Sequence, residues 1–306
     1  SSDLSCGISE KAWGIYGVTN MWKVGIHNCY WIGTGYETQE EAMIASKKAG
    51  ADHYEISAVS VGRDSASRRR ELKKLAKELN LGLTANGGFG INNDISSEEE
   101  GIRNRGIEDG KRIIEGLAEM GITSWSGINY GAWKLVPEPG RTFSMDEKQR
   151  VWERSVQSLK KLMETARDYQ VTMCLEIVNR YEQFLINTVK EGVEMAQAVD
   201  SPFCRLLLDS YHMNIEEESF EEAIRFAADR NLIGEIHVSE PNRKVPGIGK
   251  SHMNWKGFFG GLNEIAYEGV ITMEPFLIAG YPISSKICIW RDLSEQARRS
   301  EERRVG

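Results

Sequence analysis

The chain has 306 residues, is 41% hydrophobic and 27% charged, and carries a net charge of -7. That leaves ample apolar content for one large core, but no run of roughly 18 apolar residues to cross a bilayer and no apolar segment near the start to act as a secretory signal. The acid excess, with only the short basic runs Arg68-Arg69-Arg70 and Arg298-Arg299, argues against nucleic acid as a partner.

The first basic run reads as a solvated helix face. The cysteines, Cys6, Cys29, Cys174, Cys204 and Cys288, are odd in number and form no CxxC, and Cys174 sits in an apolar run as a buried thiol. A reducing cytoplasm is the simplest compartment for them. Ser1-Ser2-Asp3-Leu4 and the stretch from Arg299 to Gly306 resemble translated sequencing-adapter sequence, and Met21 reads as a natural start. One domain is therefore expected over 21–295, with 1–20 and 296–306 as non-native or disordered extensions.

From Met21 onward, short apolar runs alternate with amphipathic stretches. Lys23 to Cys29 predicts a first strand, and Thr38 to Ala49 a helix stopped by Gly50. His53 to Ala58 predicts the second strand, 65–79 a charged helix, and Leu81 to Ala85 the third strand. A helix over 97–119, stopped by Gly121, leads to a fourth strand over 122–128. Ser144 with Glu147 predicts a capping box, and Trp152, Leu159, Leu162 and Ala166 follow at helical spacing. Val171 to Val178 predicts the fifth strand, then a helix through Val189, Val193, Ala196 and Val199, then a sixth strand over Cys204 to Leu208. Ser219 with Glu222 predicts a second capping box. Leu232 to Val238 predicts the seventh strand, 255–267 a helix, and Val270 to Phe276 the eighth strand.

Eight strands joined by helical crossovers must pair in parallel, and this length matches a (β/α)8 TIM barrel. An open doubly wound sheet would want a Gly-rich turn after the first strand, where Tyr30-Trp31-Ile32-Gly33 stands instead. After Phe276 the chain passes Ile287 to Trp290 and turns polar at Asp292, so the barrel is expected to lack its last helix through C-terminal truncation.

In such a barrel the chemistry sits at the C-terminal ends of the strands. Glu176, Asp209, His237 and Glu274 each interrupt an apolar run there, on strands 5, 6, 7 and 8. Any one of them could be a salt-bridge partner. Together, three buried carboxylates would cost several kcal/mol each unless a cation stood among them. Three carboxylates and one imidazole form a mostly hard donor set, which suits one divalent ion, Mn²⁺ first and Co²⁺ or Mg²⁺ next, ahead of zinc.

The segments around these residues are EIVNRYEQ from Glu176, LDSYHMNIEE from Leu208, HVSEPNR from His237, MEPF from Met273 and WRD from Trp290. In this order they resemble the D-tagatose/D-allulose (D-psicose) 3-epimerase family, within the xylose isomerase-like TIM barrels. The resemblance covers 21–295 and is strongest after residue 150. It implies that Glu176, Asp209, His237 and Glu274 are metal ligands, that Glu176 and Glu274 also act as acid and base, and that Glu182, His212 and Arg243 hold the sugar. It also implies a ketose substrate and a homodimer or homotetramer. His27 stands where the family usually places an aromatic residue near the sugar, and Ile128 is bulkier than the family leads one to expect.

On residue habits alone, His212 could be a loop histidine, Arg243 a surface arginine and Glu182 a solvated acid. Trp31, Trp125 and Trp133 could line the sugar's wall or simply pack. Asn86-Gly87-Gly88-Phe89-Gly90 lacks the Lys-Ser/Thr of a phosphate loop and reads as a turn over the barrel mouth. Other readings stay open: an aldose–ketose isomerase of the hydroxypyruvate isomerase type, a sugar-phosphate 3-epimerase, or a folded but inactive metal-binding barrel. No Arg/Lys clamp follows strand 8, which favours a free sugar. A nuclease of the AP endonuclease type would need several metals and more than the five histidines present.

Overall fold

The computed structural model describes residues 22–246 and 251–293. The expected extensions at 1–20 and 296–306, Met21, Cys6 and the run Arg298-Arg299 lie outside the described residues. The strands are β1 (Lys23–His27), β2 (His53–Ser57), β3 (Gly82–Asn86), β4 (Ser124–Gly127), β5 (Thr172–Glu176), β6 (Cys204–Asp209), β7 (Ile233–Val238) and β8 (Val270–Met273). They form a closed barrel in sequence order, every pair parallel, with β1 sealed against β8. The TIM-barrel expectation holds.

The helices are α1 (Gln39–Lys48), α2 (Ala58–Arg63), α3 (Ala66–Glu78), α4 (Glu100–Met120), α5 (Met145–Tyr169), α6 (Val189–Val199), α7 (Ser210–Glu216), α8 (Phe220–Ala228), α9 (Trp255–Glu264) and α10 (Pro282–Lys286). No described helix is long and apolar enough to cross a membrane. After β8 the described chain holds only the five-residue α10, and a further helix past Leu293 would fall outside the described residues.

Side chains alternate along each strand, so every second one points outward to the helices. Tyr54, Ile56, Trp125, Met173, Leu175, Leu206, Leu208, Ile236 and Ile271 do so, and meet Leu72, Ile114, Leu117, Leu159, Leu162, Ile224 and Phe258 in one continuous core. The intervening residues face the lumen, which is where Glu55, Thr84, Ser126 and His237 meet.

Five strands stop earlier than expected, β2 and β4 by a single residue each. β1 ends at His27, because a 3-10 turn over Asn28–Trp31 begins there, with His27 Nδ1 accepting from the Cys29 N–H. β5 ends at Glu176 and β8 at Met273, which leaves Glu274 just past its strand. The two expected capping boxes are one-sided. Ser144 accepts from the Glu147 N–H, but the Glu147 carboxylate turns to Arg141; Ser219 accepts from the Glu222 N–H without a return bond. Reciprocal boxes form instead at Thr38/Glu41 and Thr188/Glu191.

Candidate active site

The C-terminal ends of the strands open into a cavity of about 830 Å³. Among its lining residues are His27, Glu176, Glu182, His212, Arg243 and Glu274. Asp209 and His237, both fully buried, are absent from the lining. The register of β6 and β7 sets Asp209 directly opposite His237, after a shift at Leu206/Leu207.

Three of the four expected ligands group together, and the fourth, Asp209, joins them through Glu176. Glu176, His237 and Glu274 offer donor atoms that lie within 4.8 Å of one another, and so do Glu176, Asp209 and His212. Glu176 belongs to both groups. His237 Nδ1 is buried, 3.5 Å from Glu274 Oε2, and has no hydrogen-bond partner. A buried imidazole lone pair aimed into carboxylates is what a hard divalent cation needs, so the donor set fits the expected metal.

The three residues expected to hold the sugar are not surface groups. Arg243, His212 and Glu182 are 4%, 2% and 5% exposed. His212 Nδ1 accepts from the Asn179 N–H at 3.0 Å, which turns Nε2 toward Glu176 Oε1 and Asp209 Oδ2, both at 3.6 Å. Arg243 sits in the left-handed region at φ 63°. Its Nη1 lies 3.3 Å from both Asp209 Oδ2 and Glu274 Oε2, and its guanidinium stacks 3.7 Å over the Tyr211 ring. Glu182 accepts from Trp133 Nε1 at 2.9 Å and faces Lys134 and Arg243 at 3.7 Å each.

The tryptophans separate. Trp133 lines the cavity, whereas Trp31 is anchored to Ser46 under α1 and Trp125 is fully buried against Phe89. His27 and Ile128 both line the cavity, as their departure from the family pattern suggested. Asn86 ends β3, and Gly87 to Gly90 runs on along the mouth as an irregular segment with Phe89 bridged to Ala132, where a turn was expected.

Environment pulls the two glutamates apart. Burial pushes the Glu176 carboxyl above the usual carboxylate range, against the pull of His212. Burial acts the same way on Glu274 but is outweighed by His237, His27 and Arg243, which hold it well below that range. Glu182 is likewise held low, because His212, Arg243 and Lys134 outweigh its burial.

Sequence reasoning missed Glu55 and Glu235. Both are buried in the lumen, and Glu55 is hydrogen-bonded to His237. It also missed Asn179 and Tyr211, which set His212 and Arg243. The alternation of β7 around His237 was the one available signal, since it turns Glu235 inward as well.

With this geometry in place, the comparisons with known proteins are direct. The xylose isomerase-like TIM barrel family matches residues 44–293. The D-psicose 3-epimerase of Ruminiclostridium cellulolyticum is 34% identical over 275 residues, 90% of this chain and 91% of that protein. The chain belongs to the D-tagatose/D-allulose (D-psicose) 3-epimerase family. As a member of that family it is an isomerase, a carbohydrate epimerase. The L-ribulose 3-epimerase of Mesorhizobium japonicum is 31% identical over 277 residues, 89% of this chain and 88% of that protein. The crystal structure of D-psicose 3-epimerase with D-tagatose from Clostridium cellulolyticum H10 superposes with a TM-score of 0.82 at 32% identity, covering 92% of this chain and 96% of that one.

Proposed function

We propose that this epimerase inverts C3 of free ketoses of the fructose/allulose, tagatose/sorbose and ribulose types. It uses one divalent metal, Mn²⁺ first, held by Glu176, Asp209, His237 and Glu274. The observation that carries the reading is the convergence of Glu176 and Glu274, from β5 and β8, on the free Nδ1 of His237. When bound there, the cation supplies Lewis-acid polarisation of the ketose carbonyl, which makes the neighbouring C–H acidic.

The remaining work belongs to side chains. One of the two glutamates, Glu176 or Glu274, takes the proton from C3, and the other, protonated, delivers its own to the opposite face. The two roles exchange in the reverse reaction. Arg243, His212 and Glu182 orient the hydroxyls and carbonyl by charge-assisted hydrogen bonds, and their burial fixes that orientation. The free thiols Cys29, Cys174, Cys204 and Cys288 fit a reducing cytoplasm.

A sugar-phosphate substrate is the second reading. It is favoured by Arg63, Arg105, Lys134 and Lys286 on the cavity's lining, three of which precede β8 in the chain. The test is incubation of EDTA-stripped protein, with and without Mn²⁺, with D-fructose, D-tagatose and D-ribulose. The expected result is metal-dependent formation of the C3 epimer, reduced at least about 100-fold in Glu176→Gln and Glu274→Gln. Aldose products would move the reaction to C1/C2 isomerisation. No conversion by folded, metal-loaded protein would sink the free-ketose reading and send the assay to the phosphorylated sugars.

A further inference from the structure

The chemistry so far rests on β5 to β8, yet a side chain from the opposite wall reaches across the lumen to it. Glu55 stands on β2 and is fully buried. Its carboxylate meets His237 Nε2 twice, with Oε2 at 3.0 Å and Oε1 at 3.2 Å. Ser126 Oγ on β4 donates to Oε1 at 3.2 Å, and Thr84 Oγ1 on β3 lies 3.5 Å from it. Glu55 is thus fixed by two strands and aimed at a third.

A neutral imidazole carries one N–H and one lone pair. Nε2 of His237 meets Glu55 at 3.0 and 3.2 Å, whereas Nδ1 comes no nearer than 3.5 Å to Glu274 and makes no hydrogen bond, so in the neutral imidazole Nε2 bears the hydrogen and Nδ1 the lone pair. That lone pair is the one directed at Glu274, and in the structure it has no hydrogen-bond partner. In the opposite tautomer Nδ1–H would point into the cation's place and could not ligate it.

The same carboxylate draws in the second histidine. His27 Nδ1 is occupied by the Cys29 N–H, so its Nε2 carries the hydrogen. That nitrogen lies 3.8 Å from Glu55 Oε2 and 3.7 Å from Glu274 Oε1, between the two. Glu55 therefore borders both imidazoles that flank Glu274.

We propose that Glu55 is a positioning residue for the metal centre. It locks His237 in the tautomer and ring orientation that present Nδ1 to the cation. Carboxylates that fix a ligating histidine in this way raise its basicity, and their loss weakens metal binding. The proposal rests on the reading of His237 as a ligand. Glu235 supplies the control: it is buried beside Glu55 and His237, within the same 4.8 Å group, but no hydrogen bond joins it to the imidazole.

The test is a Mn²⁺ titration of the full chain, with free Mn²⁺ read by electron paramagnetic resonance. Glu55→Gln is expected to weaken binding by roughly 10–100-fold. Glu235→Gln is expected to change it only a few-fold, and Glu55→Asp to recover part of the loss. Equal affinity in Glu55→Gln and the parent, or equal losses in Glu55→Gln and Glu235→Gln, would overturn the proposal. If His237→Ala binds Mn²⁺ as tightly as the parent, the ligand reading falls and the proposal with it. If His237→Ala weakens binding while Glu55→Gln does not, only the proposal falls. A second measurement needs no variant: nitrogen NMR of ¹⁵N-histidine protein loaded with diamagnetic Mg²⁺. An Nε2–H signal on His237 supports the assignment, and an Nδ1–H signal refutes it.

Discussion

Glu235 precedes His237 by two residues, so the pleat of β7 turns both into the lumen. Its carboxyl is pushed from 4.5 up to about 7, first by burial and then by the Glu55 charge. Between these values the folded chain holds a proton that the unfolded chain has released. The stability contribution is fully present below the unfolded value and is lost as pH rises through the folded one. His237, raised as well, acts in the same direction. In EDTA, the parent should therefore lose stability between about pH 5 and pH 8. Glu235→Gln removes its own share, worth up to about 3 kcal/mol. Urea unfolding should show the variant gaining on the parent at pH 8 and nearly matching it at pH 5; a gap of equal size at both would contradict this reading. At this scale the sequence revealed the β5–β8 residues because a charge interrupting an apolar run costs energy and calls for a partner. It did not reveal Glu55, whose partner lies 182 residues away. Nor could it show that Arg243 is buried, since that follows from a left-handed backbone and two aromatic faces, Tyr211 of α7 and Phe276 past β8.

At the level of elements, alternation and helix stops placed the strands and most helices, while the ends depended on contacts the pattern does not carry. β1 was expected to reach Cys29, but His27 caps the turn that follows and ends the strand. Ser144 and Glu147 have box spacing, yet Arg141 competes for the carboxylate. The short helices α2 and α7 lack the length for a periodic signal. The glycines after β3 marked the end of the strand, and the structure gives the reason for one of them. A Cβ on Gly88 would lie 1.9 Å from the Ile128 carbonyl oxygen, where the loops after β3 and β4 cross. The obstacle is backbone, so it cannot rotate aside. Gly88→Ala should cost about 3 kcal/mol by overpacking. Because Ile128 lines the cavity, KM for the ketose should rise as well. A thermal melt and a KM within error of the parent would show that the two loops can part without consequence.

At the level of the whole molecule, the barrel closes by hydrogen bonds between β1 and β8 but concentrates its charge at one end. Asp209, Glu176 and Glu274 are brought together there, and the buried cation that touches Asp209 and Glu274 among the described residues is Arg243. Arg243 also pairs with Glu182, and His27, His212 and His237 border the same carboxylates, so without metal the charge balance there falls to protonated imidazoles as well as the arginine. Mn²⁺ should take over that neutralisation and release the protons. Because the proposed ligands stand on or just past four consecutive strands, binding would also tie half of the barrel wall together at its open end. Binding to the native state alone, at 100 times Kd, stabilises by about 2.7 kcal/mol. For a domain of this size that raises Tm by roughly 4–5 °C. The rise should grow with the logarithm of Mn²⁺ concentration and shrink in Asp209→Asn, which keeps the size of the side chain but removes a charged donor. Hydrogen exchange should slow most at the C-terminal ends of β5 to β8, and least in α3 on the far wall. A Tm that stays put at saturating Mn²⁺, or rises equally in Asp209→Asn, would mean that the cluster is neutralised by protons and not by a cation.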